Sequence, residues 1–494
     1  MRFRWFLFFI TMMFCCDQLA SARHVVNKSK SKRKTAVYAE SQPVIYGSDQ
    51  LAATISSIIN NANVRADIGV YVKSMQSGDI LYSRKVTEPL TPASTMKILT
   101  AEAALIYLTP DYRFTTKMLT NATGVKNGVL QGDLYIVLSG DPTLTYNDLL
   151  DLMEALKSEQ IQSIAGNVYI DNTAYDQSFY GPGWIRQDKG YCYAAPISAS
   201  IINHNCMSFP PARAKSVPST KMVKFKSKHK RNVASRSYRS RACALRLARM
   251  PGSDITIEGC SNKGRLVYSG ASHVVTDVPE YNRSLFKSVL SQLGVRVYGS
   301  VTFGSAGSGL EVVGSHESEP LKKLVYTMLK KSDNIIAGAL FKKLGQVYSR
   351  QPGSWENGSL AVSQILSRRA GVTISGMRIL DGSGLSPDNL ATAQQMMQVL
   401  DFAYHHEGTR EEFVSALPIA GVDGTLKHRM GNIARKIRAK TGTISGVVSL
   451  AGYAQSSDKE SLGFVIIVNG TKGLGWRYKA IEDKIATALT RYRR

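Results

Sequence analysis

Ser94 and Lys97 stand three residues apart in the run from Pro92 to Leu108, PASTMKILTAEAALIYL. Residues three apart on a helix share a face, so the Lys97 amine can reach the Ser94 hydroxyl. A serine is a useful nucleophile only with a base beside it. A lysine can be that base only where burial or nearby positive charge lowers its pKa toward neutrality. S-x-x-K alone is a weak signal, because an N-cap serine followed by an exposed lysine gives the same string. Two later strings strengthen it: Ser332-Asp333-Asn334 and Lys440-Thr441-Gly442. Read together, Ser94 attacks an acyl carbon, Lys97 takes its proton, Ser332 relays a proton to the leaving amine, and Asn334 hydrogen-bonds a substrate amide. Lys440 adds positive charge that lowers the Lys97 pKa and attracts a carboxylate. Thr441 and Thr443 offer that carboxylate hydroxyls, and Gly442 leaves a strand edge clear of side chain. The N–H groups of Ser94 and Thr443 supply an oxyanion hole. This chemistry calls for no cofactor and no metal, and His204, His229 and His428 have no ligand-like spacing.

The elements that must position these groups follow from periodicity. Met96, Leu99, Ala103 and Ile106 recur as on one buried helix face, with Pro92 just ahead of the helix start. Residues 48–62 are helical by the same test. Ile68 to Met75 and Ile80 to Ser83 read as a hairpin around Ser77-Gly78. From about residue 112 short β-rich runs such as LYIVLSG and AGNVYID alternate with Gly, Asn and Asp, which predicts an inserted β-rich region over 112–311, one or two small domains. Helices are predicted over Leu321–Met328, over Ile335–Leu344 with Ser332 as N-cap, and over 359–369. Asp381 to Ser386, DGSGLS, reads as a Gly-rich turn. Lys436 to Thr443, Val447 to Tyr453 and Leu462 to Val468 read as strands, and Trp476 to Tyr492 as an amphipathic helix. The two ends of the chain then share one sheet, giving a discontinuous catalytic domain of residues 46–111 and 312–494 in the α+β class.

The chain has 494 residues, 44% hydrophobic and 20% charged, enough for a sizeable core and several domains. Residues 1–22 read as a secretory signal, with Arg2 and Arg4, an apolar run from Phe6 to Phe14 and Ala20-Ser21-Ala22 as the cleavage site. Met13 and Phe14 are too bulky for a lipid-attachment site at Cys15 or Cys16. Residues 23–45 read as a basic flexible arm. Cleavage leaves Cys192, Cys206, Cys243 and Cys260, and an even number in an exported chain suggests disulfides. Of three connectivities, the favoured one is sequential, Cys192–Cys206 and Cys243–Cys260, closing two short loops. The formal net charge is +25. Residues 211–250 hold about a dozen Lys and Arg and no acid. Export sets nucleic acid aside and leaves two readings of this segment, loose association with an anionic envelope surface or a solvated basic loop.

The ordered set S-x-x-K, SDN and KTG is the signature shared by class A β-lactamases and penicillin-binding proteins. With KKSDN at Lys330 to Asn334, DGSGLS, AGVDGTL at Ala420 to Leu426, AKTGT at Ala439 to Thr443, and SGDPTL, GPGW and YAAPIS between the first two motifs, the chain resembles the low-molecular-mass class C penicillin-binding proteins. These are serine D-alanyl-D-alanine carboxypeptidases and endopeptidases. The resemblance implies a penicillin-binding, serine β-lactamase/transpeptidase-like antiparallel sheet flanked by helices, with inserted β-rich domains. It implies a periplasmic enzyme acting on peptidoglycan peptide stems, releasing terminal D-Ala and cutting D-Ala–diaminopimelate cross-links, with β-lactams as inhibitors acylating Ser94. The two short cysteine loops are similar to those of enterobacterial members. Asp171, Tyr175 and Ser445 are similar to residues that contact a diaminopimelate side chain, whereas the arginine often found just after DGSGLS is here Pro387. The alternatives are a serine β-lactamase, for which no E-x-x-x-N element is evident between the second and third motifs, and a non-catalytic envelope-binding protein. Sequencing of the mature protein is expected to give Arg23 first; a retained Met1 would restore the nucleic-acid reading of the basic segment.

Overall fold

Five strands from opposite ends of the chain pair into one antiparallel sheet, in the order Ile437–Ile444, Val447–Gln455, Ser461–Asn469, Asp67–Ser74, Ile80–Arg84. The computed structural model describes residues 43–209, 212–214, 223–230, 246–249, 255–262, 265–268, 271–473 and 475–494. The central strands are buried on both faces, and their side chains alternate between two cores, as the period of two requires. Val448, Leu450, Phe464, Ile466 and Val468 pack on one face with Leu51 and Ile55 of the Gly47–Asn61 helix and Ile481 and Ile485 of the Gly475–Leu489 helix. Ala451, Tyr453, Val465 and Ile467 face the other core, which holds most of the remaining helices.

At the centre of that second core lies the Lys97–Leu108 helix. Periodicity predicted one buried face. Instead every residue from Lys97 to Leu105 is buried, because the helices Leu321–Lys331, Asn334–Ser349, Trp355–Ala370 and Ala393–His405 pack around it. A helix enclosed on all sides is apolar nearly all round, and its one acid, Glu102, is held by the Thr409 hydroxyl at 2.7 Å and pushed up to about 7 by burial.

Between the hairpin and these helices the chain builds a second sheet, Val301–Phe303, Val168–Asp171, Leu134–Val137, Thr115–Thr120 and Glu311–Glu317. The Tyr146–Met153 and Val278–Leu293 helices share a third core with it. Neither helix was predicted, although Val278–Leu293 carries clear signals, an Asp277 cap, Pro at its start and a left-handed Gly294 after its end. In the basic segment the described residues are strand: Ala212–Ala214, Val223–Lys230 and Arg246–Arg249 share a sheet with Ile255–Asn262 and Arg265–Tyr268.

Three boundaries differ from expectation. Ser332 does not cap the Asn334–Ser349 helix; Asp333 does, its carboxylate accepting from the N–H groups of Ile335 and Ile336. Ser332 is left-handed at φ 58°, where it ends the preceding helix and turns its hydroxyl elsewhere. The last helix ends at Leu489, since Tyr492–Arg493 pairs with Ile45–Tyr46. That pairing also places Ile45, assigned to the basic arm, in a strand; residues 23–42 and the signal segment lie outside the described residues.

One side chain ties the sheet to the nucleophile's turn. Asn469 ends its strand and forms a two-point clamp with Thr91, accepting from its N–H at 2.8 Å and donating to its carbonyl at 3.0 Å. Asn469→Ala leaves both backbone groups without that partner and is expected to cost about 1–3 kcal/mol in urea unfolding.

Candidate active site

The nucleophile's turn is set by contacts on both sides. Ala93–Met96 forms one 3-10 turn ahead of the helix, and Ala93 sits at φ 48°, a conformation non-glycine residues rarely adopt. The Pro92 carbonyl accepts from the hydroxyls of Ser449 and Thr95, both at 2.6 Å. Gly442 packs directly here. A Cβ at that position would collide with the Ser449 hydroxyl and the Pro92 carbonyl. The glycine therefore serves close packing of the edge strand on the Ser94 turn, a role that its place on a strand edge did not suggest. Gly384 does the same from the other side: it has φ 76°, and a Cβ there would collide with the Ala93 carbonyl.

Lys97 is fully buried, while Ser94 is half-buried and reachable. The Lys97 amine lies 3.1 Å from Ser94 Oγ, 2.6 Å from Asn334 Oδ1 and 2.6 Å from the Ser383 carbonyl oxygen. All three partners are neutral. Burial pulls its pKa down to about 7, against the opposing pull of the more distant Asp381 and Asp333 carboxylates. The role of the DGSGLS turn was missed in the sequence, where its motif was visible but its carbonyl was not. Asp381 organises it, one carboxylate oxygen accepting from Ser383 and Gly384 and the other from Ser386 and the Trp184 indole, which aims the Ser383 carbonyl at Lys97.

Lys440, also fully buried, donates to Ser332 Oγ at 2.9 Å and to the Thr441 carbonyl at 2.7 Å. Burial holds its pKa well below the ordinary lysine range, and the charge of Lys97 lowers it further. The sequence reading gave Lys440 the task of depressing Lys97. In the structure burial dominates at both amines; the repulsion acts on Lys440, while the charges felt by Lys97 are those of Asp381 and Asp333, which raise its pKa. Thr441 Oγ1 donates to the Thr425 hydroxyl at 2.7 Å, a partner the sequence reading did not single out. Thr425 is carried by the AGVDGTL loop, which Lys330 clamps through Asp423 at 2.7 Å. The fold thus gathers Ser94, Lys97 and Asn334 on one hydrogen-bonded chain, and Lys440, Ser332 and Thr441 on another.

Thr443 and Ser445 are exposed, the first on the outer strand of the sheet and the second in the turn that follows. Asp171 and Tyr175 are both buried. Asp171, 4% exposed, accepts from the N–H and hydroxyl of Thr173 and from the Ala306 N–H. Tyr175, 1% exposed, donates its hydroxyl to the Ala339 carbonyl. Both shape the insertion and its contact with the Asn334–Ser349 helix. Cys192 and Cys206 form a disulfide; the expected Cys243–Cys260 pairing lies outside the described residues.

The model of the D-Ala-D-Ala carboxypeptidase 3 (S13) family matches residues 51–492. This chain belongs to that family. It is a serine hydrolase of the D-Ala-D-Ala carboxypeptidase type, within the low-molecular-mass class C penicillin-binding proteins. A D-alanyl-D-alanine carboxypeptidase from an Actinomadura species is 32% identical over 90% of this chain and 85% of its own length. The D-alanyl-D-alanine carboxypeptidase DacB of Haemophilus influenzae is 29% identical over 84% of this chain and 88% of that protein. The crystal structure of penicillin binding protein 4 from H. influenzae superposes with a TM-score of 0.76 at 29% identity, covering 89% of this chain and 99% of that one. The same protein complexed with a β-lactam gives a TM-score of 0.73 at 28% identity, covering 89% and 100%. The expected penicillin-binding fold is confirmed.

Lys97 must be neutral to accept a proton. Its pKa is lowered to about 7, so the rate of acylation by a penicillin is expected to rise with pH through a midpoint near that value and then level off. Stopped-flow measurement of the pH profile checks this; a rate still climbing steeply at about pH 10 would indicate an unperturbed lysine.

Proposed function

We propose that this carboxypeptidase cleaves the terminal D-Ala–D-Ala bond of peptidoglycan stem peptides through an acyl-enzyme on Ser94, and also opens D-Ala–diaminopimelate cross-links. The observation that carries this reading is the Lys97 amine, buried among neutral acceptors and 3.1 Å from the half-buried Ser94 hydroxyl.

In the first step Lys97 takes the Ser94 proton as Oγ attacks the carbonyl carbon of the penultimate D-Ala. The oxyanion of the tetrahedral intermediate is held by the N–H groups of Ser94 and Thr443. Its collapse breaks the C–N bond, and the departing amine receives a proton from Ser332, which Lys440 resupplies through their 2.9 Å hydrogen bond. Asn334 presents its amide to the substrate backbone, and Thr441 and Thr443 hold the terminal carboxylate beside the Lys440 charge. Lys97 gives back through solvent the proton it took, making good the one Lys440 lost; water then attacks the Ser94 ester, losing a proton to Lys97, which passes it to Ser94 Oγ as the ester C–O bond breaks. In a cross-link the leaving amine is that of a diaminopimelate side chain, and the chemistry is unchanged; the exposed Ser445 is the residue we assign to that longer acceptor. A penicillin enters as a substrate whose leaving group stays tethered, so the Ser94 ester persists.

The reading extends to organisation and place. Residues 46–111 and 312–494 form the catalytic domain, with 112–311 as an excursion from it, and the enzyme works in the periplasm after removal of residues 1–22. Among the described residues no helix is long and apolar enough to cross a membrane.

Incubation with a penicillin, followed by intact-mass measurement, is expected to add one drug mass to the wild type and none to Ser94→Ala. Lys97→Ala should slow acylation by about 10²–10⁴-fold, the usual worth of a general base. Rapid penicillin turnover without a lasting adduct would point to the β-lactamase reading, and no reaction at all would overturn the assignment of Ser94. Release of D-Ala from a pentapeptide, and cleavage of a cross-linked dimer, separate the two peptidase activities.

A further inference from the structure

The Asn334 carboxamide is held at both ends. Its Oδ1 accepts from Lys97 at 2.6 Å, and its Nδ2 donates to the backbone carbonyl of Tyr193 at 2.8 Å. A carbonyl can only accept, so the Tyr193 oxygen selects the NH₂ end of the amide and leaves the oxygen for Lys97. With that carbonyl displaced, the amide is free to turn over and aim donors at the amine. The orientation of a group in contact with the proposed general base is therefore set by a backbone atom of the insertion.

Side-chain packing does little to hold that atom in place. The rings of Tyr191 and Tyr193 stack on each other at 5.4 Å but stand 58% and 47% exposed. Locally, Tyr193 donates its hydroxyl to Asp188 at 2.7 Å, and two anchors tie the segment to the rest of the fold. After Tyr193, Ala194 and Ala195 are buried in the helical core. Before it, Cys192 is bonded to Cys206, the first residue of the Cys206–Phe209 strand, which pairs with Ala271–Val274. Asn205, next to that cysteine, is buried and donates to the Pro196 carbonyl at 2.9 Å, closing the same ring of chain. The covalent bridge thus anchors the exposed side of the segment one residue from the carbonyl that holds Asn334.

We propose that the Cys192–Cys206 disulfide is a positioning element for catalysis: it keeps the Tyr193 carbonyl against Asn334 and so keeps Asn334 Oδ1 on Lys97. This rests on the reading that Lys97 and Asn334 belong to the catalytic machinery. Cys192, Tyr193 and Cys206 act through Asn334, and their loss is felt only while Asn334 is present.

A double-mutant cycle on the full chain tests this through the rate of acylation by a penicillin. The four proteins are wild type, Cys192→Ala/Cys206→Ala, Asn334→Ala and the combination, with thermal unfolding as the check on folding. The expected result is an about tenfold loss on removing the bridge from the wild type, as misplacement of a reacting group by a fraction of an ångström produces, and less than about a twofold loss on removing it from Asn334→Ala. An equal fold-loss in both backgrounds, or no loss in the first, would overturn the proposal. Should the bridge-free variants fail to fold, folded proteins with and without the Asn334→Ala substitution are compared before and after treatment with a water-soluble phosphine. Each disulfide then takes two electrons and two protons to give two thiols, while the phosphine gains an oxygen from water. Cys243→Ala/Cys260→Ala is the common background, so that Cys192–Cys206 alone is read, and the same two outcomes decide. A wild type that a penicillin does not acylate would instead break the underlying catalytic reading, and this proposal with it.

Discussion

Two lysine ammonium groups, those of Lys97 and Lys440, are taken out of water in one cleft. Burying a charge is costly unless it is paired or gives up its proton, and around Lys97 the structure is arranged for the second outcome. The partners of Lys97 are a hydroxyl, an amide oxygen and a carbonyl; those of Lys440 are a hydroxyl and a carbonyl. Such acceptors satisfy the N–H groups without the charge of a carboxylate. Lys342, equally buried, shows the contrast. It sits 2.6 Å from the Asp176 carboxylate and serves to join the insertion to the helices. Lys97 and Lys342 thus differ in the charge of the nearest acceptor.

Holding neutral acceptors around a buried amine demands a stiff frame. The fold supplies it by wrapping the Lys97–Leu108 helix on all sides and pressing the outer strand of the sheet onto the Ser94 turn, with no room for a side chain at Gly442 or Gly384. Asp381 spends its carboxylate on a loop rather than on Lys97, and the cleft gains a carbonyl acceptor in place of an anion. Asp333 likewise faces the N–H groups of its own helix.

The centre of the site was legible because its chemistry needs particular side chains in particular order. Ser94, Lys97, Ser332, Asn334 and Lys440 are named by type and spacing, and the five strands of the main sheet by short β-forming runs between turn residues. What sequence could not show was carried by backbone atoms and by packing. The carbonyls of Ser383, Thr441 and Tyr193 bear no residue signature. Gly442 gave no sign of its packing role, because a glycine does not reveal which neighbour fills its missing side chain. Asp171 and Tyr175 are polar residues whose partners, Thr173, Ala306 and Ala339, became apparent only with the fold. Asp333 and Ser332 are both good caps by type, and the left-handed turn at Ser332 decided between them. The Val278–Leu293 helix was readable from its ends and was passed over because its surroundings were rich in β-forming residues.

Burial among uncharged acceptors brings the Lys97 pKa down to about 7, so that a substantial share of the amine is neutral near neutral pH. The most direct test is NMR titration of protein labelled with ¹³C at lysine Cε, with the Lys97 signal assigned by its absence in Lys97→Arg. A midpoint near 7 is the result this account predicts. A midpoint in the ordinary lysine range, above about 10, would mean that Lys97 stays charged, and the account of how Ser94 is activated would be wrong.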